Sequence, residues 1–274
     1  MAGTLCATLI LAALPMLGAA FASACDEDAT EATQGKRVML ATRLELGDDP
    51  GQPFVTATGW SVTVTRALVS LKALYYYDGE PPALVLGPSR WERLLGLRVA
   101  HAHPGHYQAG TALGEMTTPG SADLVAGPAG MADGRGITGF YRSAEIRFGA
   151  PAVGSVGDEL GEHVLLVEGS ARLDDEHREF RAAATAEDLR NPDGVIGVIG
   201  CGFEAAEVQG PGTIVLRIRA SVWLDQVDFA SVPESENGAP VELPAGSLAE
   251  MAFKHLGVTR AGAYHFEFEP RNGG

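Results

Sequence analysis

An alternation of period two, cut at short intervals by glycine and proline, constrains this chain more than any other feature. Near the start of its charged part, Val38, Leu40, Thr42, Leu44 and Leu46 alternate with Arg37, Met39, Ala41, Arg43 and Glu45. Successive side chains of a strand point to opposite faces, so this pattern predicts a strand buried on one side. Phe140, Arg142, Ala144, Ile146 and Phe148 interleave in the same way with Tyr141, Ser143, Glu145 and Arg147 over residues 138–149. Residues 60–77, rich in Val, Thr, Leu and Tyr, predict a long or bent strand. Further strands are expected over residues 163–168, 178–184, 203–208, 213–219 and 263–269. Asp78-Gly79, Gly127-Pro128, Pro192-Asp193-Gly194 and Gly210-Pro211-Gly212 separate them as turns. Two pieces read as helical. Residues 91–95 make at most a turn or two. Over 247–256, Ser247 and Glu250 have capping-box spacing, and Leu248, Met251, Ala252 and His255 share a face. The expected fold is all-β, an antiparallel sandwich or barrel-like domain with one or two short helices.

Composition supports this and removes some functions. With 35 Gly and 16 Pro in 274 residues, short strands and turns suit the chain better than a helix bundle, and 46% apolar residues suffice for a core. The net charge of −15 argues against nucleic-acid binding, which needs a basic footprint. It argues equally against docking to an anionic membrane through protein charge.

The first 24 residues carry no Asp, Glu, Lys or Arg, and an apolar run of about 13 residues, from Leu5 to Leu17, is short for a bilayer span. Small residues follow, ending in Ala22-Ser23-Ala24-Cys25. Residues 1–24 therefore read as a signal peptide. The same cut site resembles a bacterial lipobox, with Ala22 where Leu is usual, and would leave Cys25 as the lipidated residue. Residues 25–35, with Asp26, Glu27, Asp28 and Glu31, then form an acidic tether, and residues 36–270 one β-rich domain. The expectation is an exported lipoprotein of the periplasm or cell surface, anchored to the membrane through Cys25, with a soluble exported protein as the alternative. Cys6 leaves with the signal. Cys201 then stands alone if Cys25 is lipidated, and Cys25–Cys201 is the one internal disulfide available if it is not.

The densest chemistry lies in Ala100-His101-Ala102-His103-Pro104-Gly105-His106-Tyr107, which holds three of the seven histidines. On an extended entry His101 and His103 share a face. Pro104-Gly105 reads as the centre of a type II turn, with His103 and His106 as its outer residues. A short loop would then aim three imidazoles at one point, a ligand set for a transition metal such as copper or zinc. Met116 and Cys201 are candidate further ligands, and soft sulfur there would favour copper(I). Three solvated loop histidines are the plainer reading.

Other motifs are weaker. Gly200-Cys201-Gly202-Phe203-Glu204-Ala205 fits the spacing of a dinucleotide-binding turn, but Gly210-Pro211-Gly212 follows too soon for the helix such a site requires. A bulge or tight turn is expected there instead. Asp225 and Asp228, between Trp223 and Phe229, offer a calcium or sugar site, with a strand exit packed by the two aromatics as the plainer reading.

The segment 100–116, with Trp60-Ser61-Val62-Thr63-Val64 and the run from Trp223 to Phe229, resembles a group of uncharacterised bacterial secreted lipoproteins with a His-Pro-Gly-His-Tyr loop. That resemblance implies export and a β-rich fold. A looser likeness, to surface copper proteins of methane-oxidising bacteria, implies only a metal. The function expected first is a cell-envelope lipoprotein that binds, stores or delivers copper or zinc at His101, His103 and His106. The alternative is a metal-free surface β module that binds a carbohydrate or protein partner on its aromatic strands. An envelope hydrolase, with Glu115 as general base beside a His-bound metal, is a third reading.

Overall fold

The computed structural model describes residues 35–81, 109–191 and 194–271. The chain divides into two units after Gly35, and the fold described is that of the second, Lys36–Gly274. The expected signal peptide, the tether with Cys25, and the short helical piece at 91–95 lie outside the described residues.

The fold is all-β, as the alternation predicts. In chain order the strands are β1 (Arg37–Leu46), β2 (Phe54–Val55), β3 (Ser61–Tyr77), β4 (Ala112–Met116), β5 (Gly120–Asp123), β6 (Ala129–Ile137) and β7 (Gly139–Phe148). They continue as β8 (His163–Leu173), β9 (Glu176–Thr185), β10 (Gly197–Val208), β11 (Gly212–Ile218), β12 (Val241–Glu242) and β13 (Tyr264–Pro270). Short helices lie at α1 (Gly157–Leu160), α2 (Ala220–Leu224) and α3 (Leu248–Met251).

The strand pairings close on themselves. From β3 they run through β4, β6, β1, β11, β13, β10 and β7 and return to β3. The last part of β3 makes the closure: Leu74 faces Met116 of β4 on one edge and Ile146 of β7 on the other. The first part of the same strand leaves the ring and pairs with β8, which pairs with β9. The long or bent strand expected over 60–77 is therefore the member shared by a barrel and a second sheet. The sheet is mixed rather than wholly antiparallel. β1 with β11, β10 with β13, and β9 with β12 are parallel. Parallel neighbours cannot be joined by hairpins, so these pairs join strands far apart in sequence.

Alternation sorts the side chains. Leu40 and Leu44 of β1, Ile214 and Leu216 of β11, and Phe266 of β13 are fully buried within the ring. Tyr76, Tyr141, Phe203 and Phe266 pack ring to ring, with centroids 5.6–6.2 Å apart. The outer face of β1, β11 and β13 carries charge instead. Arg43 binds Glu45 and Glu269, and Arg217 binds Glu45 and Glu267. An aromatic inside and a charged outside reverse the polarity of a membrane-spanning barrel.

The alternation misses β4, β5 and β6. β6 reads Ala-Gly-Met-Ala-Asp-Gly-Arg-Gly-Ile, with no apolar stripe. Gly134 and Gly136 serve close approach: a Cβ on Gly134 would lie 2.7 Å from the Glu115 carbonyl oxygen.

The C-terminal helix departs from expectation. α3 lasts one turn and widens into a π-helical segment over Ala252–Val258. Ser247 caps it by accepting the Glu250 N–H, as its spacing predicts. Most of the expected apolar face, however, points outward: Leu248 is 78% and Met251 43% exposed and His255 is exposed too, while Ala252 of that face is buried with Ala249 and Phe253. The cause lies on the polar side. Glu250 accepts the Gly246 N–H and binds Lys254, which also reaches Asp188, and these bonds fix the helix rotation.

That cluster responds to acid. Burial acts to raise the Asp188 carboxyl, but hydrogen bonds from Thr185 and Lys254 outweigh it and hold it below the usual range. Glu250 is likewise lowered, burial being overcome by Lys254 and the Gly246 N–H. A lowered carboxylate contributes stability above its unfolded pKa of about 4, and that stability is lost as pH falls through the folded value. Lys254→Met is therefore expected to remove about 1 kcal/mol near pH 7 and to flatten the loss of stability between about pH 5 and pH 3. Urea unfolding across that range checks this, and an unchanged acid limb would contradict it.

Candidate functional site

His101, His103 and His106 lie outside the described residues; the ends of their segment do not. Asp78 N–H donates to the Thr111 carbonyl at 3.2 Å and Gly79 N–H to the Ala109 carbonyl at 3.0 Å. Asp78 also accepts the Thr111 N–H at 2.6 Å. Ser143 of β7 clips the Gly79 carbonyl at 2.7 Å, and Glu80 pairs with Arg142. Residues 82–108 thus spring from a stem hydrogen-bonded across the ends of β3 and β4.

The two sulfur candidates are core residues. Met116 faces Leu74 with no exposed surface. Cys201 is fully buried in β10; its thiol lies 3.6 Å from the Val198 carbonyl, and burial pushes its pKa far up. Exposed Glu115 sits opposite Arg135 of β6. His163 contacts the Leu160 carbonyl, and His177 pairs with Glu179. Among the described residues, no group of three or more His, Cys, Asp or Glu side chains converges to hold a metal ion.

Asp225 and Asp228 have structural partners. Asp225 accepts the Ala57 N–H, and Asp228 accepts the Trp60 indole N–H at 3.1 Å and caps Ala230. The run from Trp223 to Phe229 is α2 and the turn after it, not a strand exit, and both aromatics are fully buried. The Gly200–Ala205 motif lies in β10, which continues as a strand, so the dinucleotide spacing has no helix to serve. The expected bulge is present: Gly200 has φ of 70° and the register with β7 slips between Val198 and Cys201.

That bulge has a consequence on the outer surface. Its parallel pairing with β13 is confined to Gly202↔His265 and Phe203↔Phe266. The outward position there is Gly202, so β10 presents no side chain to solvent at this point. A cavity of about 450 Å³ opens over it, lined by Gly200, Gly202, Gly262, Arg217, Arg219 and His265, with Pro81 at its margin. His265 is exposed, its Nε2 3.9 Å from a Glu204 oxygen. Gly47 lines the cavity too, and none of Gly47, Arg219 or Gly262 is legible as a site residue in the sequence, because the cavity brings together segments more than 150 residues apart.

Comparison with protein-family models, with curated proteins and with solved structures returns no match.

Proposed function

We propose that this is an exported, membrane-anchored β protein that binds a transition metal, copper or zinc, through His101, His103 and His106, for binding, storage or delivery. The observation that carries the reading is the stem. Asp78, Gly79, Ala109 and Thr111 hold the two ends of the histidine segment against the barrel rim. A site on a loop gains precision when a rigid scaffold positions it. Met116 and Cys201, inside the core, stand apart from this ligand set. The likeness to exported lipoproteins with a His-Pro-Gly-His-Tyr loop supports lipidation at Cys25. The rival reading, a partner bound on aromatic strands, is weakened because Trp60, Tyr76, Tyr141 and Trp223 are buried.

Calorimetric titration of the full chain with copper and with zinc tests the proposal. Binding is expected to fall as pH drops below the imidazole pKa of about 6.5, because ligating histidines must be neutral. Replacing all three histidines with alanine should abolish it, while His177→Ala, whose ring pairs with Glu179, should leave it unchanged. A triple variant that binds as the wild type does, or a wild type that binds neither metal at micromolar concentration, overturns the reading.

A further inference from the structure

We infer that the trough over β10 is a binding site for a small organic carboxylate, a function separate from metal binding by the histidine segment. Size is the first argument: about 450 Å³ falls within the range of small-molecule pockets. The second is that this space is unfilled. A Cβ on Gly202, on the β10 floor, or on Gly262, on the opposite wall, would meet nothing within 4 Å. Gly202 in β10 and Gly262 in the turn before β13 carry no side chain into this space.

The third argument is charge. Arg217 is neutralised by Glu45 and Glu267, and His265 faces Glu204. Arg219 is exposed and forms no ion pair among the described residues. Its stem lies across Gly47, where a Cβ would come within 2.8 Å of Arg219 Cγ, and its backbone N–H is bound to the Ala263 carbonyl at 2.8 Å. The cavity therefore holds one guanidinium free to form a bidentate bond, beside a floor of glycine backbone. A guanidinium of this kind matches a planar carboxylate, and the space beside it accommodates a compact apolar body.

The test titrates the full-length protein with sodium benzoate, followed by calorimetry and by ligand-observed NMR, with benzamide and inorganic phosphate in parallel. Saturable benzoate binding is expected in the millimolar range or tighter. Benzamide, which has the same shape without the charge, should bind at least ~10-fold more weakly, and Arg219→Gln should cost a similar factor. Gly202→Phe fills the trough and should abolish binding with the thermal midpoint retained. Gly262→Val, on the other wall, gives the same test should Gly202→Phe misfold. The proposal fails if the wild type shows no saturable benzoate binding up to about 20 mM. It fails equally if both filling variants bind benzoate as the wild type does, or if phosphate binds as well as benzoate and ignores both, since Arg219 would then be an open surface cation.

Discussion

Replacing Gly136 with leucine is expected to open the barrel. Gly136 lies in β6, and a Cβ there would come within 2.5 Å of the Tyr141 hydroxyl oxygen and 2.7 Å of Leu40 Cδ1. Both neighbours are fully buried, so neither has space to withdraw. The Tyr141 hydroxyl is also committed, lying 3.0 Å from the Leu113 carbonyl and 2.9 Å from that of Ile137. Moving it leaves a buried polar group unpaired as well as a clash. The position is critical because β4 and β6 are paired through only two positions, Gly114↔Gly136 and Glu115↔Arg135. The expected cost is roughly 4 kcal/mol or more, enough to lower the thermal midpoint by about 10 °C. Gly130→Ala is the control: it lies in the same strand, and a Cβ there meets nothing within 4 Å. A Gly136→Leu protein that melts with the wild type would show that this seam does not hold the ring closed.

Removing the Phe266 ring is expected to cost about 3–5 kcal/mol, the range for an aromatic truncated to alanine in a core. Phe266 is fully buried, stacked on Phe203 at 6.0 Å and edge-on to Tyr76 at 6.0 Å. For a domain whose total stability is typically 5–15 kcal/mol, that is a large share. Phe268, two residues along β13 and only partly buried, should cost clearly less. Because the Phe203 and Phe266 rings touch, their alanine substitutions should not add, and about 1 kcal/mol of coupling is expected from the double-mutant cycle. Denaturant unfolding of the four proteins measures it. Strict additivity would mean that the two rings do not act together.

The strands that sequence reveals are those that solve a burial problem alone. β1 buries Val38, Leu40, Thr42 and Leu44 on one face, and its period of two is visible within ten residues. β7 is legible as a strand but not in its faces, for Phe140 is exposed while Tyr141 and Ser143 are buried. β6 solves a different problem. It must pass close to β4 and Tyr141, so it spends glycines where a stripe would stand, and nothing local announces that. Likewise the outward face of α3 follows from Glu250, Lys254 and Asp188, of which Asp188 is sixty residues away. The trough was half legible: the bulge at Gly200 could be read from Gly-Cys-Gly, but its neighbours, Arg219 and Gly262, are brought to it only by the pairings of β11 and β13. The histidine segment is the opposite case, with its chemistry plain in the residues and its stem visible in Asp78 and Thr111.

The parallel pairing of β1 with β11 sets a timetable for the chain. Residues 40–46 find their partners at 212–218, so one edge of β1 has no permanent neighbour until more than three quarters of the 274 residues have been made. Contacts this distant in sequence must pay the entropy of closing a long loop before they return any stability, and proteins built on them fold slowly. During synthesis the first strand is a waiting edge, exposed to any other strand that can match it. A chain that closes its ring last stays open while it is still being extruded.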